Sequence, residues 1–175
     1  MVLPRIHRLD RMPVLPAGPR GIIFLDIDGV LVTHRHMLDL DSHKLPLYDD
    51  YGHFFDPVCV QQLERIIQAT KADIVISSSW KMLCKLAGMK VIWDERKLPG
   101  TVIDVTEDSH DRVRGFEIQR WLWRNEKEYR IPKVIIDDDS DMLLNQSEYF
   151  VQTKFETGLT EDLANRAIEI LLSFK

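Results

Sequence analysis

The chain has 175 residues, 45% of them hydrophobic, which is enough to bury the core of one compact domain. Its 23 basic and 28 acidic residues leave a formal charge of -5, which excludes a broad basic surface of the kind that grips nucleic acid but leaves room for a local basic patch. No apolar run is long enough for a signal peptide or a membrane span, and Cys59 and Cys84 stand far apart, so a reduced, cytoplasmic setting without a membrane partner is expected.

Residues 1–20 carry Arg5, Arg8, Arg11 and Arg20 among Pro4, Pro13, Pro16 and Pro19, and they read as an irregular arm preceding a single domain over 21–175. Residues 21–27, GIIFLDI, form a nearly continuous apolar run, as expected of a strand buried on both faces of a parallel sheet. It ends in Asp28 and Gly29. From Thr33 to Phe55 the sequence is polar, His-rich and without a clean period, and reads as a long loop or small flap. Asp56 before Pro57 marks a helix start, with Val60, Leu63 and Ile67 along one face. ADIVIS, 72–77, is the second buried strand and ends in Ser77, Ser78 and Ser79.

A helix is expected to begin near Trp80 and to stop by Gly88, followed by short strand-like runs at VIW and VIDV. From about Asp111 another helix carries Ile118, Trp121 and Leu122 inward, with Trp123 on the surface. KVIID is the third buried strand, ending in Asp137, Asp138 and Asp139. A fourth run, YFVQT, precedes Gly158, and Thr160 caps a last helix whose Leu163, Ala167, Ile170 and Leu171 face the core. Strands alternating with helices imply a three-layer α/β/α, Rossmann-like domain with a mostly parallel central sheet, in which ligands bind outside the carboxyl ends of the strands. The DxD, SSS and DDD tips should therefore converge.

Gathering the Asp26 and Asp28 carboxylates with those after the third strand is costly unless a cation neutralises them. Mg²⁺ fits an all-oxygen set without Cys or His. Phosphate can then bind beside the ion, a carboxylate can act as nucleophile, Ser77 can donate to a phosphate oxygen, and a cation such as Arg114 can offset the charge on the equatorial oxygens. Two other readings compete. Asp137, Asp139, Asp141 and Glu148 have the spacing of a calcium loop, although Met142 stands where that loop needs Gly. His34, His36, His43 and His53 have no familiar zinc spacing and read as flap residues.

FLDIDGVL, VISSSW and VIIDDDSD, in this order, resemble the haloacid dehalogenase (HAD) superfamily of phosphohydrolases over residues 21–173, without a large cap domain. The resemblance implies that Asp26 is phosphorylated and that Asp28 protonates the leaving group. Dehalogenases of the superfamily lack the second Asp. It further implies that Ser77 binds phosphate and that Asp137 and Asp138, or Asp141 in place of Asp138, bind metal with the Asp26 side chain and the Asp28 backbone carbonyl. The family's Lys has no counterpart at a comparable helix start. Arg114 is the substitute, with Arg112 and Lys81 as competitors. SSSW, the acidic triplet and the late GLT resemble in particular HAD domains associated with RNA repair. The expected function is a Mg²⁺-dependent phosphomonoesterase working through an aspartyl-phosphate on Asp26. Its substrate would be a phosphate ester, with a nucleic-acid terminal phosphate as a candidate. The alternative is a non-catalytic module that binds phosphate or nucleic acid.

Overall fold

A computed structural model describes residues 21–108, 113–125 and 131–173. The expected arm at 1–20, and Asp111 and Arg112, lie outside the described residues. The central sheet has five strands in the order β5-β4-β1-β6-β7, comprising β1 (Ile22–Leu25), β4 (Asp73–Ile76), β5 (Val102–Val105), β6 (Lys133–Asp137) and β7 (Phe150–Gln152). All neighbouring pairs are parallel. Register places Leu25 beside both Ile76 and Ile136, so the three best strands stop at one level.

Side chains alternate across the sheet because a strand has a period of two. Ile23, Leu25, Ile74, Ile76, Val134 and Ile136 face one core, against α2 (Pro57–Thr70), α3 (Lys81–Glu95) and α5 (Glu161–Ser173). Ile22, Phe24, Val75 and Ile135 face the other, where Ile118, Trp121 and Leu122 of α4 (Arg114–Arg124) cover them. This is the three-layer architecture expected, with no large cap. Trp121 is buried, its indole N–H donating to Asp104 at 2.7 Å, and Trp123 is exposed.

Asp56 caps α2 as its sequence implies, accepting from the Val58 N–H. The buried face of that helix is Cys59, Gln62, Leu63 and Ile66, with Val60 and Ile67 packed at its margins. Cys59 lies under the GLT segment: its Sγ is 3.5 Å from the Thr157 carbonyl, and burial pushes its thiol up to about 12. Gly158 has φ +63°, and a Cβ there would stand 2.5 Å from the Val30 carbonyl oxygen and 2.7 Å from Cys59 Sγ. Only glycine fits both the backbone and the space.

Two expectations need correction. The stretch from Thr33 to Phe55 is not a plain loop: it holds α1 (His34–Ser42), capped by Thr33, and a small antiparallel hairpin, β2 (Tyr48–Asp49) and β3 (Gly52–His53). α1 buries no residue, so no apolar period marks it in the sequence. Nor does a helix stop at Gly88 before a VIW strand. α3 continues through Val91, Ile92 and Trp93 to Glu95, with Met89, Ile92 and Trp93 buried at helical spacing. Its irregularity is instead a kink at Lys85, φ 51°. Gly88 marks a close approach, since a Cβ there would lie 2.3 Å from Cys84 Cβ. No helix among the described residues is long and apolar enough to cross a membrane.

Candidate active site

The chain runs from β1 outward to β4 and β5, then returns to β6 on the opposite side of β1. Connections leaving β1 and β6 diverge at this reversal and open a crevice beyond their carboxyl ends. Asp26 follows β1 directly, Asp137 is the last residue of β6, and Ser77 follows β4. Ligand oxygens of Asp26, Asp137 and Asp138 all lie within 4.8 Å of one another. The DxD and DDD tips therefore meet through Asp26 on one side and Asp137 and Asp138 on the other.

Gly29 allows that approach. Its φ is +74°, and a Cβ would stand 2.2 Å from the Asp138 carboxyl carbon. Buried Thr153 ties the same turn to the end of β7, its hydroxyl donating to the Gly29 carbonyl at 2.8 Å. Leu159 of the GLT segment donates its N–H to the Val30 carbonyl at 3.0 Å. The turn after Asp26 is thus held by two late parts of the chain.

Arg114 opens α4 and reaches both acidic tips: its Nη2 is 3.1 Å from Asp26 Oδ1, and its Nε is 3.0 Å from Asp137 Oδ2. The second pair is a close ion pair without hydrogen-bond alignment, so both of its atoms lack a hydrogen-bond partner. Asp141 plays a different part. Its Oδ2 accepts the Arg114 backbone N–H at 2.8 Å, so it anchors the start of α4 and stands outside the carboxylate group.

Ser77 is fully buried, and its hydroxyl has no hydrogen-bond partner. Leaving such a donor unsatisfied costs about 1–3 kcal/mol, which an anion's oxygen would offset. Ser78 is also buried, and its side chain favours the ionised form of Asp26. The Asp28 carboxylate stands apart from the Asp26, Asp137 and Asp138 group. Its Oδ2 accepts the Trp80 indole N–H at 3.0 Å.

Lys81 is buried, and its Nζ is engaged by Glu117 Oε2 at 2.5 Å, the Thr106 hydroxyl at 3.0 Å and the Asp108 carboxylate at 3.4 Å. Glu117 also stands 3.7 Å from Arg114, so it links the two cations. Lys81, Arg114, Glu117, Asp108, Asp139 and Asp141 border a cavity of about 350 Å³. The sequence reading took Trp80 only as a helix start and overlooked Glu117. The clue to Glu117 is its position three residues after Arg114, the spacing of neighbours on a helix face.

Burial, then the Asp137 charge, holds the Asp26 carboxyl well above the usual range against the pull of Arg114 and Ser78. Burial likewise pushes Asp137 up to about 7, although Arg114 and the Asp139 N–H oppose it. Burial and the Asp139 charge raise Asp138. Burial lowers Arg114, but Asp137, Asp26, Glu117 and Asp141 outweigh it and leave its pKa raised. A cation among crowded carboxylates would favour their ionised forms. The all-oxygen donors suit a hard divalent cation such as Mg²⁺, which Asp26, Asp137 and Asp138 could hold.

The rival metal readings fare less well. Asp137 ends a buried strand rather than following a helix, so the calcium-loop spacing lacks its context. His34, His36 and His43 lie on or just after α1 and His53 on β3, and no histidine joins a metal-type cluster among the described residues.

The family model described as "HAD domain in Swiss Army Knife RNA repair proteins" matches residues 22–164. No curated protein and no solved structure matches the chain.

Proposed function

Because the chain belongs to the family of HAD domains in Swiss Army Knife RNA repair proteins, a phosphohydrolase type, we propose that it is a Mg²⁺-dependent phosphomonoesterase. The observation carrying this reading is the meeting of Asp26, Asp137 and Asp138 at the strand ends, with Arg114 across two of them.

In the first step an Asp26 carboxylate oxygen attacks phosphorus and the ester P–O bond breaks. The departing oxygen takes the proton of Asp28, and the phosphoryl group remains on Asp26. In the second, water attacks that phosphorus, gives its proton to Asp28 and releases phosphate, which restores the Asp26 carboxylate. Arg114 and the Ser77 hydroxyl bind the phosphoryl oxygens, the guanidinium offsetting their charge in the transition state. Asp26, Asp137 and Asp138 with the Asp28 carbonyl would hold Mg²⁺, whose charge keeps these acids ionised and admits a phosphate beside them.

No large cap stands over the site among the described residues, which suits a bulky phosphate ester. The RNA-repair description of the family makes a terminal phosphate on a polynucleotide the leading substrate. The test is hydrolysis of a panel of phosphate esters, including 3′- and 5′-phosphorylated oligonucleotides, with and without Mg²⁺. Turnover is expected only with the metal, and Asp26→Asn should abolish it while leaving the thermal unfolding transition in place. A Mg²⁺-independent rate, or an active Asp26→Asn protein, would refute the mechanism. Tight binding of these oligonucleotides without turnover of any ester would establish a binding module instead.

A further inference from the structure

Trp80 is the fourth residue of the SSSW run, and its indole meets the second Asp of the DxD. Indole nitrogen only donates, so Trp80 cannot take part in proton transfer; it can only hold the carboxylate that does. We infer that Trp80 is a positioning residue, its N–H fixing Asp28 Oδ2 at 3.0 Å so that the other carboxylate oxygen is free for the leaving group's proton. This rests on the acid–base role proposed above for Asp28.

A partly buried indole usually finds some acceptor, as Trp93 does with the Pro99 carbonyl at 3.0 Å. Trp80 differs in how its ring is seated. The Phe55 ring lies 5.5 Å from it, centroid to centroid, and the Arg96 guanidinium is 5.9 Å from its centroid. Gly52 of the hairpin has φ +117°, and a Cβ there would lie 2.7 Å from Trp80 Cη2. Arg96 pins that hairpin by donating to the Asp49 carboxylate at 2.6 Å and to the Gly52 and His53 carbonyls at 3.1 and 2.9 Å. The inserted segment thus presses one edge of the indole while the opposite function, its N–H, meets Asp28. The hairpin acts on the chemistry through Trp80 without touching the nucleophile.

The test uses Trp80→Phe in the full chain, which keeps an aromatic ring and removes the donor. Protonation matters for an alkyl phosphate, whose leaving group is strongly basic, and little for an aryl phosphate with electron-withdrawing substituents. In kcat/KM, which reports the first step, the alkyl-to-aryl ratio should fall on the order of tenfold, and Trp80→Phe should add nothing in an Asp28→Asn background. Independently of turnover, the Trp80 indole proton resonance should move in Asp28→Asn while those of Trp93 and Trp121 stay in place.

An unchanged ester ratio, or a Trp80 resonance indifferent to Asp28→Asn, would overturn the positioning role while leaving the phosphatase reading intact. Absence of wild-type turnover on both esters would instead sink that reading and this inference with it.

Discussion

Arg114 shows how one cation can serve two carboxylates at once. A lysine offers one point charge, whereas the guanidinium fork spans Asp26 and Asp137 together. Arg114→Ala should lower kcat/KM by about 10²–10³-fold, with Arg114→Lys recovering part of the loss. Wild-type kinetics in Arg114→Ala would shift the role to another cation. Glu117 is the less visible partner, buried between Arg114 and Lys81. Breaking a buried pair strands the remaining charge, so Glu117→Ala should cost about 3–5 kcal/mol in a denaturant titration. The sequence indicated Arg114 because it stands at a helix start. In the sequence Glu117 shows only as a helix neighbour of Arg114, because its second partner is a lysine 36 positions earlier in the chain.

Among the elements, α2 and the insert before it are joined by Asp56. Its carboxylate caps the helix at Val58 and also accepts from the Thr33 hydroxyl at 2.8 Å and Arg35 at 2.7 Å. Burial raises its pKa, but these donors outweigh burial and leave it below the usual carboxylate range. A depressed folded-state value means that stability is present above the unfolded pKa and is lost as pH falls through the folded one. Asp56→Ala should therefore cost about 2–4 kcal/mol at neutral pH, and the difference from wild type should shrink below about pH 4. A penalty unchanged at pH 3 would contradict the ionised cap.

The strands β1, β4 and β6 and the polar tips beyond them were legible because fully buried strands write unbroken apolar runs. α1 was not legible because it is exposed and carries no stripe. The second half of α3 was misread because Gly88, a packing glycine, resembles a stop. Asp138 and Asp141 could not be separated by spacing alone. Their difference lies in where the chain turns after β6, which brings Asp138 against Gly29 and sends Asp141 to the start of α4.

Over the whole molecule, the cost of crowding acids at one rim should appear in its stability. Asp137 is raised from 3.8 to about 7 in the folded protein. Between those values the unfolded chain has released a proton that the folded one keeps, so this group makes the metal-free protein less stable as pH rises across the window. An ion such as Mg²⁺ held by these carboxylates would compete with that proton. The rise in melting temperature on adding a fixed concentration of Mg²⁺ should therefore be larger at pH 8 than at pH 5, and the ion should add about 2.7 kcal/mol to stability at a hundred times its dissociation constant. A rise independent of pH would place the ion elsewhere.

The seat of Cys59 beneath Gly158 gives the molecule an internal reporter. A thiol with no solvent exposure, pushed up to about 12, is closed to alkylating reagents until the overlying strap at 157–160 lifts. The same strap grips the turn after Asp26 at Val30, so the labelling rate of this one sulfur would time how often that turn loses its clasp.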